Sequence, residues 1–131
     1  MRGKIIRVER AGHHADNQFW GWQADRVDRE GTFALVESVA HGGFYMLFIG
    51  DHPTEVNGKR KEDYLRTTPG QVSLNGRMLR LETPNTVYTI ELEREPSLDV
   101  QLAEAKSTIA KLTGALEANK TQDPSLTALL P

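Results

Sequence analysis

Four histidines, His13, His14, His41 and His52, are the first residues in this chain whose chemistry could hold a metal or move a proton. His13-His14-Ala15-Asp16 looks like a ligand cluster. Adjacent side chains on an extended chain point to opposite faces, so only His14 and Asp16 are spaced to share an ion. Two ligands fall short of a zinc site's usual four, and no local spacing ties His41 or His52 to them. The expectation is four loop histidines and no metal. Asp51-His52 suggests a dyad, but sequence neighbours seldom supply a base and the carboxylate that orients it.

The chain has no cysteine, which excludes disulfides, thiolate metal sites and cysteine nucleophiles. It carries neither a Gly-x-Ser-x-Gly elbow nor a Gly-x-x-x-x-Gly-Lys phosphate loop. His41-Gly42-Gly43 could offer backbone N–H groups to an anion, but it reads more simply as a turn between two apolar strands. Glu91 and Glu93 share the outer face of one strand and look solvated. No catalytic residue and no cofactor are expected, so the chain does not read as an enzyme.

Two stretches suit binding better. Trp20 and Trp22, in Phe19-Trp20-Gly21-Trp22, fall on one face of a strand. An exposed pair would stack a base or a sugar, and a buried pair would anchor a β core. Between Asp51 and Gly70 runs a connection too long for a plain loop in a compact domain. It holds the turn Asn57-Gly58, the cations Lys59, Arg60 and Lys61, then Tyr64 and Arg66. Residues 61 to 66 could form one helical turn. Three cations beside an aromatic could grip phosphate or an acidic partner, although Glu62 and Asp63 partly cancel them.

These groups sit on a series of short strands. Residues 4 to 9 are rich in β-branched side chains. Residues 19 to 27 alternate, and Asp28-Arg29-Glu30-Gly31 suggests a hairpin turn into 32 to 39, with Phe33, Leu35 and Val39 on one face. Phe44 to Ile49 does not alternate, which predicts a central strand buried on both faces. Asn75-Gly76, between two apolar runs, is the strongest hairpin signal in the chain. Thr83-Pro84-Asn85-Thr86 turns into a final strand with Tyr88, Ile90 and Leu92 inward. About seven strands joined by tight turns predict a mainly β fold, an antiparallel small barrel or sandwich.

The chain's 131 residues, 38% hydrophobic and 26% charged, suit one globular core with an appendage. A net charge of −2 argues against bulk electrostatic binding to nucleic acid. The start lacks an apolar signal-peptide core and no stretch is long enough to span a membrane, so a cytoplasmic protein is the expectation.

Pro96 and Ser97 change the pattern. Ser97 can cap a helix, and Asp99 suits its first turn. Leu98, Leu102, Ala105, Ile109, Leu112 and Leu116 then recur at spacings of 4, 3, 4, 3 and 4. That is a heptad seam. Residues 1 to 95 thus read as a β domain, 96 to 120 as an amphipathic helix, and 121 to 131 as a tail with Leu126, Leu129 and Leu130. A lone helix of this length is marginal in water, so the seam must be covered. Either it docks on the β domain, or it packs against a copy of itself or another protein's helix. The strict spacing favours helix against helix, which predicts a homo-oligomer or an adaptor. The alternative is a small binding module for a nucleotide or single-stranded nucleic acid, using Trp20, Trp22 and the basic loop.

Overall fold

The computed structural model describes residues 1–11, 26–61 and 63–122; within these, the side chains at 54–56, 60, 61, 115 and 117–122 lie outside the description. In chain order the strands are β1 (Arg2–Arg10), β2 (Glu30–Glu37), β3 (Phe44–Gly50), β4 (Thr54–Val56), β5 (Lys59–Lys61), β6 (Tyr64–Arg66), β7 (Gln71–Asn75), β8 (Met78–Glu82) and β9 (Thr86–Leu92), and one helix, α1 (Leu98–Gln122), follows. Seven strands form one antiparallel sheet in the order β6-β3-β2-β1-β9-β8-β7, and β4 with β5 makes a separate hairpin. The fold is mainly β with one C-terminal helix.

Among the described residues no ladder closes the sheet into a barrel. A single antiparallel bridge brings its ends together, where Phe44 and Gly70 exchange both backbone hydrogen bonds at 2.8 Å. At Gly70 the chain leaves its place beside β3 and enters β7 beside β8. A Cβ there would collide with the Glu82 carbonyl, so glycine is needed for this close approach. The inner faces of the strands make the core, with Ile5, Phe33, Phe48, Leu81 and Ile90 at its centre. Val100 and Ala103 of α1 complete it.

Turn chemistry sets the hairpins. Asn57 and Gly58 both have positive φ, 53° and 75°, the geometry favoured for a two-residue hairpin loop. They join β4 to β5. The β7–β8 hairpin pairs Asn75 with Met78 and turns on Gly76 at φ 60°. Thr83 bonds Thr86 three times, through backbone and side chain, to close the β8–β9 turn. In β9, Tyr88, Ile90 and Leu92 are buried and Glu91 is exposed, as alternation requires.

Four local expectations are corrected. Phe44 to Ile49 is a central strand, but it buries one face only: Phe44, Met46 and Phe48 point inward, while Ile49 is half exposed. On its outer face Tyr45 and Leu47 are only partly buried. The turn before β2 is made at Asp28, which itself takes φ 69°, and Gly31 lies inside β2 opposite Gly50. Val39 does not join Phe33 and Leu35; it lies past the end of β2 and is 98% exposed. The helical turn expected over 61 to 66 is replaced at residues 64 to 66 by strand β6, which pairs with β3; Glu62 lies outside the described residues.

Candidate partner-binding site

The helix begins where its capping residues allow. The Ser97 hydroxyl accepts a bond from the Val100 N–H at 3.4 Å, and Asp99 sits in the positive first turn. The first turns then dock on the sheet through a face other than the leucine seam. Val100, Ala103 and Ser107, spaced three and four apart, are all buried. Ala103 is small enough to let the helix backbone approach the strands. The Ser107 Oγ accepts a hydrogen bond from the Val72 N–H at 2.9 Å, and Glu104 Oε2 accepts one from the Leu74 N–H at 2.6 Å.

These are alternate residues of β7, the last strand of the sheet. Its outward N–H groups have no strand partner, so two helix side chains supply the acceptors. On the β2 side, Lys106 Nζ lies 2.8 Å from Glu37 Oε2. Below that ion pair a groove of about 290 Å³ runs between α1 and β2, with Leu35, Phe44, Val100 and Leu102 among its lining residues.

The seam faces elsewhere. With Leu102, Ile109 and Leu116 taken as heptad position a, and Leu98, Ala105 and Leu112 as d, the anchoring Val100 and Ser107 fall at f, the opposite side of the cylinder. Leu98, Leu102, Ile109, Leu112 and Leu116 are accordingly between 54% and 82% exposed, and Ala105 is exposed too. Every position from 108 to 116 whose side chain is described is exposed, Gly114 with no neighbour beside it. The anchoring contacts thus fall within the first ten residues of the helix, and beyond them the described side chains, up to Leu116, are exposed. At 1.5 Å per residue the part beyond Ser107 is about 22 Å long.

The basic and aromatic residues of the long connection are divided between two sheets. Lys59, Arg60 and Lys61 form β5, which among the described residues pairs with β4 alone, and Lys59 is exposed. Tyr64 and Arg66 lie on β6 with exposed side chains, and the Arg66 guanidinium covers the Tyr45 ring of β3 at 4.9 Å from its centroid. Beside them Leu47 and Ile49 carry the apolar outer face of β3. Trp20, Trp22, His13, His14, Asp16 and the tail leucines lie outside the described residues.

His41 occupies an exposed turn. His52 borders a hollow of about 250 Å³ with Asp28, Arg29, Glu30 and Asp63. Asp63 is almost wholly buried and ion-pairs with Arg26 and, at 3.8 Å, with Arg29. Among the described residues no group of three or more histidines and carboxylates is placed to hold a metal ion. No helix among them is long and apolar enough to cross a membrane.

On the far side of the sheet Arg2 bonds Asp51 and Glu93. The hydrogen bonds from Arg2 hold the Asp51 carboxyl below its usual range against the opposing effect of desolvation, with lesser help from the charges of Arg2 and His52. Those three residues tie β1 to the ends of β3 and β9.

Two features escaped the sequence. The anchoring face uses a serine and a glutamate, which a search for apolar periodicity passes over; the spacing of Val100, Ala103 and Ser107 was its only trace. The Arg26–Asp63 pair joins residues 37 apart, and no local pattern marks it. Comparison of the chain with protein-family models, with curated proteins and with solved structures finds no match.

Proposed function

We propose that this chain is a non-enzymatic assembly protein that self-associates through the a and d positions of α1. One observation carries the reading. The helix is already anchored to its own sheet by the opposite face, yet five large aliphatic side chains in heptad register stay more than half exposed. A helix that merely covered the sheet would turn its leucines inward and its Ser107 and Glu104 outward. Here the arrangement is reversed.

Burying the exposed part of a leucine or isoleucine contributes about 1 kcal/mol, so the ten side chains of a pair supply about 10 kcal/mol. Association itself costs about 4–15 kcal/mol, which places such a pair among reversible, concentration-dependent assemblies. The e and g positions carry only Asp99 and Lys106 as charges over the described side chains, so charge contributes little to the choice of partner.

The test is solution mass, by light scattering after size exclusion, of the whole chain and of a chain ending at Glu95. A dimer or larger species for the former supports the reading. A monomer at every concentration up to the solubility limit refutes it.

A second reading rests on a different observation. Arg66 stacked on Tyr45, next to the exposed Tyr64, puts a cation and aromatic rings on one sheet surface. Such a surface can stack bases and hold phosphate. Binding of a single-stranded oligonucleotide that weakens with salt, and is lost in Tyr64→Ala with Arg66→Ala, would favour it over assembly.

A further inference from the structure

We propose that Asn57 is a site of spontaneous covalent modification: the Asn57-Gly58 step deamidates in the folded chain, while the similar Asn75-Gly76 step is protected by the sheet. The two steps have matched neighbours, Val56-Asn57-Gly58-Lys59 and Leu74-Asn75-Gly76-Arg77. Each has an apolar residue before it and a cation after it, so local sequence favours neither. All four residues are exposed, and no atom stands within 4 Å of where a side chain would begin on either glycine.

The reaction needs only water and a solvent base. The Gly58 backbone nitrogen gives up its proton and attacks Asn57 Cγ. The bond from Cγ to the side-chain amide nitrogen breaks, and that nitrogen leaves as ammonia. Water then adds to either carbonyl of the resulting five-membered succinimide, which opens to aspartate or isoaspartate.

Ring closure requires Cβ to eclipse the next nitrogen, which tetrahedral geometry puts at a ψ of about −120°, outside the regions an L-residue ordinarily occupies. Asn57, at φ 53°, lies in the left-handed region, and Asn75 is paired with Met78 in an extended ladder. Neither is poised for attack. Each turn must open first, and the ease of opening decides which step reacts.

Here the two turns differ. β4 and β5 are three residues each and, among the described residues, pair only with one another. A two-stranded hairpin by itself is marginally stable in water. β7 and β8 are five residues each, and β8 is also laddered to β9. The Leu74 N–H beside Asn75 is held by Glu104 at 2.6 Å. Opening at Asn75 thus disturbs the sheet's edge and its helix anchor, whereas opening at Asn57 disturbs a short hairpin.

The product lies next to Lys59, Arg60 and Lys61. It adds a negative charge to that basic hairpin, and isoaspartate also adds a carbon to the main chain of a loop whose length sets the strand register. The α1 seam is untouched, so solution mass does not report on this step.

The test ages the full chain at mildly alkaline pH, folded and in urea. Peptides spanning each step are resolved by mass spectrometry, with aspartate and isoaspartate separated by chromatography. In the folded chain Asn57 is expected to convert about tenfold or more faster than Asn75, because its turn opens more easily. In urea both turns are open and the two rates should converge. Equal rates in the folded chain, faster conversion at Asn75, or no conversion at Asn57 while the urea sample reacts would each overturn the proposal. A gap of the same size in urea overturns it too, since the difference would then lie in local sequence and not in the fold.

Discussion

Ser107 of the helix accepts a hydrogen bond from the backbone N–H of Val72 at 2.9 Å, and both residues are almost fully buried. This bond joins the last strand of the sheet to the helix that follows it. An edge strand with open N–H groups is a template for aggregation, and here it is blocked by side chains rather than by another strand. The device spends the polar face of α1 inside the protein. Its apolar seam is left outside.

Replacing Ser107 with Ala removes the acceptor and strands the buried Val72 N–H. The expected loss is about 1–3 kcal/mol, the cost of an unsatisfied buried donor, read as a lower urea midpoint with unchanged slope. An unchanged midpoint would mean that the N–H finds another partner and that the anchor rests on Val100 and Ala103 alone.

Ile109→Asp places a charge in the seam at a position that is 62% exposed. The chain is expected to stay folded, with the melting behaviour of the β domain kept, while the assembly dissociates. Retention of the wild-type mass would sink the seam as the contact surface.

Asp63 holds Arg26 and Arg29 from a position nearly sealed from water. Asp63→Asn removes the charge that balances them. Breaking a fully buried pair costs about 3–5 kcal/mol; because the two arginines keep part of their solvent, a loss of about 2 kcal/mol is expected. Thermal unfolding measures it, and an unshifted transition would show that other partners carry the arginines.

Burial pushes the Tyr88 phenol above its ordinary 10.0, with a hydrogen bond to Thr86 and the charge of Arg26 opposing. The unfolded phenol ionises first as pH rises. Stability contributed by the neutral ring is therefore complete below about pH 10 and falls as pH climbs from there through the higher folded value. Urea midpoints across that alkaline range should drop more steeply for the wild type than for Tyr88→Phe. Equal slopes would place the alkaline loss elsewhere.

Much of the β fold was legible because its signals are local. Asn75-Gly76 and Thr83 to Thr86 fix turns through the conformations their own residues prefer. The alternation of Tyr88, Ile90 and Leu92 fixes which face of β9 is inside. The heptad spacing from Leu98 to Leu116 likewise announced a helix with an apolar stripe.

What the sequence left open was decided by pairing over long distances. Phe44 to Ile49 is apolar on both sides, and whether its second face would be covered depended on what packs there, not on the strand itself. Residues 59 to 66 carry charge enough to suit a loop, yet β6 forms because β3 offers it a ladder. The direction of the helix is the clearest case. Its leucine stripe predicted burial, but the outward β7 N–H groups needed acceptors, and Glu104 and Ser107 on the other side provide them. Sequence by itself determined that α1 has a hydrophobic face. Tertiary structure decided that this face points outward, because satisfying buried backbone donors took the opposite face.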